Sequence, residues 1–124
     1  MSKRVLIVDD EPNIVISLEF LMKREGYEVL VARDGEEGLT AIRDQRPDLV
    51  VLDVMMPKRN GFEVCEAVRA DPELAGVRIL MLSAKGREAE VKKGLALGAD
   101  AYVTKPFSTR ELVDRVKSLL ESGA

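Results

Sequence analysis

Six side chains of the right types for chemistry punctuate the 124-residue sequence: Asp9, Asp10 and Glu11 in one run, then Asp53, Ser83 and Lys105 far apart. Carboxylates, a hydroxyl and an ammonium are the groups that hold a hard cation and a phosphoryl group. Brought together, the aspartates repel one another, so either their pKa values rise or a cation compensates them. The set holds no nitrogen or sulfur ligand. Two or three carboxylates completed by water suit Mg²⁺ better than Ca²⁺. Lys105 then adds positive charge on the opposite rim and Ser83 a neutral donor, which with the cation form a clamp for a dianionic phosphoryl group. Asp53 is the candidate nucleophile. Phosphoryl transfer to an oxygen proceeds by positioning and charge neutralisation, so the absence of histidine from the chain is no obstacle. That absence, with Cys65 the single cysteine, does remove the usual zinc sets, Ser–His and Cys–His nucleophile pairs and an internal disulfide.

Positioning those residues falls to five short apolar runs: Val5–Val8, Val29–Ala32, Leu49–Leu52, Ile79–Leu82 and the weaker Ala101–Val103. They are dense, mostly β-branched or aliphatic, and lack polar alternation, as expected of strands covered on both faces in a parallel sheet. Segments of helical period lie between them. Ile14, Leu18, Leu21 and Met22 form the first stripe, with Pro12 in the first turn. Leu39 and Ile42 mark the second helix, opened by Asp34 and Glu37 in a capping-box pattern. Phe62, Cys65 and Val68 mark the third, and Val91 and Leu95 the fourth, with Gly86, Gly94 and Gly98 in or beside it. Ser108 and Glu111 cap a fifth helix carrying Leu112, Val116, Leu119 and Leu120.

Strict alternation of strand and helix around one core predicts a doubly wound, flavodoxin-like α/β sandwich of three layers. Its five parallel strands take the order 2-1-3-4-5, with five helices. Ligands in such a sheet bind at the carboxyl ends of the strands, where the strand order reverses. Strand 1 leads into Asp9 and Asp10, strand 3 ends in Asp53, strand 4 in Ser83, and strand 5 runs to Thr104, Lys105 and Pro106. The fold thus gathers distant residues at one edge. Taken singly, each has a plainer reading: Asp9 or Asp10 as a cap of the first helix, Ser83 as a turn residue, Lys105 as a solvated loop lysine, Tyr102 as a core aromatic. Their joint placement at four strand ends favours a site.

Composition bounds the rest. Lys and Arg number 19 against 22 Asp and Glu, a net charge of −3 with both signs interleaved, so the basic footprint of a nucleic-acid binder is absent. Val5–Val8 is too short for a signal-peptide core, and no stretch approaches the roughly 20 apolar residues that span a bilayer. The expectation is a single-domain cytoplasmic protein with no membrane contact.

The pieces VLIVDDEP at 5–12, PDLVVLDVMMPKRNG at 47–61, ILMLSAKG at 79–86 and GADAYVTKPF at 98–107 together resemble a two-component response-regulator receiver domain, of the chemotaxis-Y-like kind. The likeness runs from Lys3 to about Leu120, which implies one receiver domain over residues 1–122 and a loose tail at 123–124. It implies that Asp53 is the phosphoacceptor, with a histidine kinase or phosphotransfer protein as donor. It implies Mg²⁺ held by Asp10, Asp53 and the backbone carbonyl of Met55, with Asp9 acting through water. Ser83 and Lys105 stand where the family contacts the phosphoryl oxygens, and the bond before Pro106 where the family has a cis peptide. Tyr102 matches the aromatic that turns inward as the Ser83 hydroxyl moves. Met55 and Lys85 flank the path of the attacking water and tune phosphoryl lifetime. In style the sequence is closest to receivers of winged-helix transcription factors, which use the face of the fourth helix, fifth strand and fifth helix for output and dimerisation. That face carries Arg87, Lys92, Lys93, Asp100, Glu111, Asp114 and Arg115, while Val91 and Ala101 depart from the family's charge pattern. The expectation is a monomer, with at most a weak dimer when phosphorylated.

Other readings fit less well. A haloacid-dehalogenase-type phosphohydrolase needs a second Asp two residues after the nucleophile, where this chain has Met55. A flavodoxin or dinucleotide-binding domain needs a small or glycine-rich phosphate loop after the first strand, where Asp9–Pro12 would repel a phosphate. A receiver-like interaction module that is never phosphorylated has no need of the full acceptor set.

Overall fold

The computed structural model describes residues 3–84 and 88–122, so Lys85, Gly86 and Arg87 and the tail at 123–124 lie outside the described residues. Elements alternate as expected: β1 (Arg4–Val8), α1 (Pro12–Arg24), β2 (Glu28–Ala32), α2 (Gly35–Gln45), β3 (Leu49–Asp53) and α3 (Gly61–Arg69). They continue with β4 (Arg78–Ala84), α4 (Glu88–Ala96), β5 (Ala101–Lys105) and α5 (Thr109–Ser122). A 3₁₀ turn at Pro72–Leu74, which periodicity does not predict, joins α3 to β4. All strand pairs are parallel, in the order β2-β1-β3-β4-β5.

The unbroken apolar runs have the reason expected of them: successive strand residues serve two cores. Leu6 and Val8, Val50 and Leu52, Ile79 and Met81 pack with α2 and α3 on one face, against Leu39, Ile42, Val64, Cys65 and Val68. Val5 and Ile7, Leu49 and Val51, Leu80 and Leu82 pack on the other face against Leu18 and Met22 of α1 and Leu112 and Val116 of α5. The pleat sends alternate side chains to opposite faces, so a strand covered on both must be apolar at every position.

Local signals act mostly where expected. Pro12 opens α1, and Ser108 Oγ accepts the Glu111 N–H at 3.0 Å. Asp34 accepts from the Glu37 N–H at 2.8 Å, but the reciprocal capping box is at α3, where Asn60 and Glu63 exchange bonds of 2.9 and 3.0 Å. Neither Asp9 nor Asp10 caps α1: its N-cap is Glu11, with no side-chain bond. The stripe expected for α4 is corrected. Leu95 is 47% exposed, Val91 is half-buried, and Gly94 is the position that faces the sheet. A Cβ on Gly94 would come within 2.8 Å of Met81 Sδ and 3.1 Å of the Tyr102 ring. The missing side chain lets α4 sit close on β4 and β5.

Candidate functional site

The register brings the polar strand ends level with one another. Asp53 pairs with Leu82, which puts Ser83 one residue beyond it on β4; Ser83 pairs with Thr104, and Ala84 with Lys105. Asp9 follows β1 and is fully buried, Asp53 is 7% exposed, and Asp10 points to solvent. One carboxylate oxygen from each of Asp9, Asp10 and Asp53 lies within 4.8 Å of the others. The loop between β3 and α3 is drawn against the site by Gly61, whose N–H donates to the Val54 carbonyl at 2.8 Å. A Cβ there would lie 2.4 Å from the Asp53 carbonyl oxygen, so only glycine lets α3 begin this near the end of β3. The result is a cleft of about 370 Å³ lined by Asp10, Asp53, Met55, Ser83, Glu90 and Lys105, among others.

Lys105 does not stand on an opposite rim. Its Nζ bridges the carboxylates, 3.3 Å from Asp53 Oδ1 and 3.2 Å from Asp9 Oδ2, with Glu11 Oε1 at 3.8 Å. The peptide bond that follows it, Lys105–Pro106, is cis. Burial disfavours the Lys105 ammonium, yet Asp53 and Asp9 together outweigh burial and raise its pKa. Asp9 also accepts the Glu11 N–H at 2.9 Å, but burial prevails and raises its pKa. Asp53 is pushed up to about 6, first by burial and next by the Asp9 charge, with Lys105 opposing both.

One ammonium for three aspartates leaves an excess of negative charge in a set of donors that are all oxygen. That chemistry fits a hard divalent cation such as Mg²⁺. Met55 sits on the loop after β3, 70% exposed, at the mouth of the cleft.

Ser83 is buried and reaches a partner that spacing does not suggest: its hydroxyl donates to the carboxylate of Glu90 in the first turn of α4. Tyr102 points inward, its ring beside Gly94 and Met81. Its hydroxyl is buried and has no hydrogen-bond partner among the described residues. Burial raises the Tyr102 pKa; Ser83 lies close enough to ease that rise, but its position falls short of hydrogen-bonding geometry.

On the face of α4, β5 and α5, Lys92, Glu111, Asp114 and Arg115 are exposed as expected. Two other residues of that set are engaged elsewhere. Lys93 Nζ lies 4.6 Å from the centre of the Phe62 ring on α3. Asp100 Oδ2 accepts from Arg69 at 2.7 Å and from the Ile79 N–H at 2.8 Å. Arg69 donates further to the carbonyls of Gly98 and Val77, at 2.8 and 2.9 Å, and so ties α3 to the turn between α4 and β5 and to the segment that leads into β4. Neither Arg69 nor Glu90 announces itself in the sequence as a structural hub, because each joins elements that only docking makes neighbours.

The family model "Response regulator receiver domain" matches residues 5–117. The chain is similar over 98% of its length to a protein described as a response regulator from Chloroflexus aurantiacus J-10-fl, with 39% identity, 99% of that chain covered and a TM-score of 0.94. The chemotaxis response regulator CheY4 of Vibrio cholerae is 33% identical, with 96% of this chain and 99% of that one covered and a TM-score of 0.90. The receiver domain of the sensor histidine kinase PA1611 from Pseudomonas aeruginosa PAO1, whose structure has a magnesium ion in the active-site cleft, is 25% identical. There 98% of this chain and 99% of that one are covered, with a TM-score of 0.89. With the family pattern matched along almost all of the chain, and with β1, β3, β4 and β5 delivering their polar ends to one acidic cleft, this protein belongs to the response-regulator receiver domains, the phosphoacceptor signalling domains of two-component systems.

Proposed function

We propose that Asp53 is the phosphoacceptor of a switch, charged by a histidine kinase or phosphotransfer protein in a Mg²⁺-dependent reaction in the cytoplasm. The observation that carries this is Asp53 itself: a buried carboxylate at the end of β3, held by Lys105 at 3.3 Å in a cleft that also presents Ser83. A carboxylate oxygen of Asp53 attacks phosphorus in line; the new P–O bond forms as the bond to the donor nitrogen or oxygen breaks, and the leaving group keeps the electron pair. Lys105, already against Asp53, transfers part of its ion pairing to the incoming phosphoryl oxygens, and Ser83 donates its hydroxyl proton to another. Asp10, Asp53 and the Met55 backbone carbonyl would hold Mg²⁺, with Asp9 acting through water. When bound, the ion supplies neutralisation of the carboxylates and of the transferring group.

The domain is a switch rather than a turnover enzyme, although it assists its own phosphorylation and dephosphorylation. Met55, at the mouth of the cleft, and Lys85 tune the second process. Phosphorylation replaces one negative charge by about two and adds three acceptor oxygens, which biases a pre-existing equilibrium toward a second arrangement of the α4, β5 and α5 face. Tyr102, inward beside Gly94, belongs to that change, and an output domain or target protein reads it there. Without phosphate the domain is a monomer. Acetyl phosphate with Mg²⁺ should add one phosphoryl group per chain by intact mass, EDTA should prevent it, and Asp53→Ala should abolish it. Undiminished labelling of Asp53→Ala would overturn the assignment.

A further inference from the structure

We propose that Glu90 is a competing acceptor for the Ser83 hydroxyl, a latch that holds Ser83 to α4 and lowers the site's affinity for a phosphoryl group. The idea rests on Asp53 being the phosphoacceptor and adds a regulator that the receiver pattern does not assign. Three observations carry it. Glu90 lines the same cleft as Asp53 and Lys105, so its carboxylate shares the space that a phosphoryl group must enter. Its carboxylate accepts the Ser83 hydroxyl across seven residues of sequence, joining the end of β4 to the first turn of α4. Among the described residues Glu90 forms no ion pair, and Lys105, the ammonium that lines the same cleft, is engaged by Asp9, Glu11 and Asp53.

A serine hydroxyl has one proton to give. Carboxylate and phosphoryl oxygens at neutral pH both accept only, so Ser83 serves Glu90 or the phosphoryl group, never both. Binding a phosphoryl group must therefore break a charge-assisted hydrogen bond, and the Glu90 charge adds repulsion of the incoming dianion. The same exchange frees the first turn of α4 from β4 when Asp53 is phosphorylated. The two-state element is thus the Ser83 hydroxyl, and Glu90 sets how far its resting position is favoured.

Beryllofluoride with Mg²⁺, a mimic of the phosphoryl group on aspartate, tests this by titration followed through tyrosine fluorescence. Glu90→Ala should tighten beryllofluoride binding about tenfold, the worth of one hydrogen bond to a charged group. Glu90→Gln, which keeps an acceptor without the charge and guards against a folding defect in the alanine variant, should fall between wild type and Glu90→Ala. In a Ser83→Ala background, Glu90→Ala should change affinity by less than about twofold, because the competition has lost its object. Binding by Glu90→Ala no tighter than wild type overturns the latch, as does a tenfold gain that persists in the Ser83→Ala background, which would show repulsion alone. Wild type that binds beryllofluoride normally while the variants behave so refutes only the latch. Wild type that neither binds it nor labels with acetyl phosphate refutes the phosphoacceptor reading, and the latch with it.

Discussion

Replacing Asp53 by Asn should make the metal-free protein more stable, by an amount that depends on pH in a defined way. In the folded protein burial and the neighbouring Asp9 raise the Asp53 pKa from the ordinary 3.8 to about 6. The folded state therefore binds more protons than the unfolded state between those values, and stability falls as pH rises through that window. The gap, at about 1.36 kcal/mol per pH unit, comes to about 3 kcal/mol of destabilisation, absent below pH 3.8 and complete above about pH 6. Asparagine removes the charge but leaves a buried amide and takes a partner from Lys105, so the net gain at pH 7.5 should be about 1–3 kcal/mol. For a domain of 124 residues that is a rise in Tm of about 4–10 °C. The assay is differential scanning calorimetry of both proteins in EDTA from pH 4 to pH 8. The difference in Tm should be near zero at pH 4, open between pH 4 and 6, and stay constant above. A variant no more stable than wild type at pH 7.5, or a difference that does not vary with pH, would refute the assigned cost of the Asp53 charge.

Asp10 is exposed and is the weakest of the groups acting on Asp53, so Asp10→Ala should stabilise the metal-free protein by less than Asp53→Asn does, under about 1 kcal/mol. It should also abolish the stabilisation by Mg²⁺ that wild type shows through mass action; an undiminished response to Mg²⁺ in thermal melts would remove Asp10 from the ligand set. Sedimentation velocity should find a monomer without phosphate and at most a weak, salt-sensitive dimer with beryllofluoride, since Asp100 and Lys93 are engaged within the protomer and exposed pairs contribute only about 0.2–1 kcal/mol each. A tight dimer indifferent to salt and to Arg115→Ala would exclude this face. Arg69→Met should cost about 2–4 kcal/mol in urea unfolding, because it strands the Gly98 and Val77 carbonyls and leaves Asp100 without its cation. A loss under 1 kcal/mol would show that water replaces the guanidinium freely.

The order of elements was legible because burial on two faces leaves a local signature. A strand such as Leu49–Asp53 must be apolar at every position until the sheet edge, and the first polar residue after such a run marks where the sheet ends. That is why Asp53 and Ser83 could be assigned to one edge from residue types alone, with Lys105 one residue beyond the polar Thr104. The caps of α2 and α5 were legible for a similar reason: a side chain bonding an amide three residues on is a local event. The stripe of α4 was not. Periodicity puts Leu95 inward, but the helix turns Gly94 to the sheet, because close approach to Met81 and Tyr102 is won by a missing side chain, and absence carries no hydrophobic signal.

What the sequence determined by itself was therefore the fold class, the edge that carries the site and the chemical types gathered there. Tertiary structure alone decided the pairings: Lys105 between Asp53 and Asp9 rather than across from them, Asp100 spent on Arg69, and Ser83 turned to Glu90. The physical reason is range. Burial and capping act on a residue through its own neighbourhood in the chain, so their demands are written in composition and period. A hydrogen bond between side chains on separate elements depends on ångström-scale docking of a helix on a sheet, and no local rule encodes that.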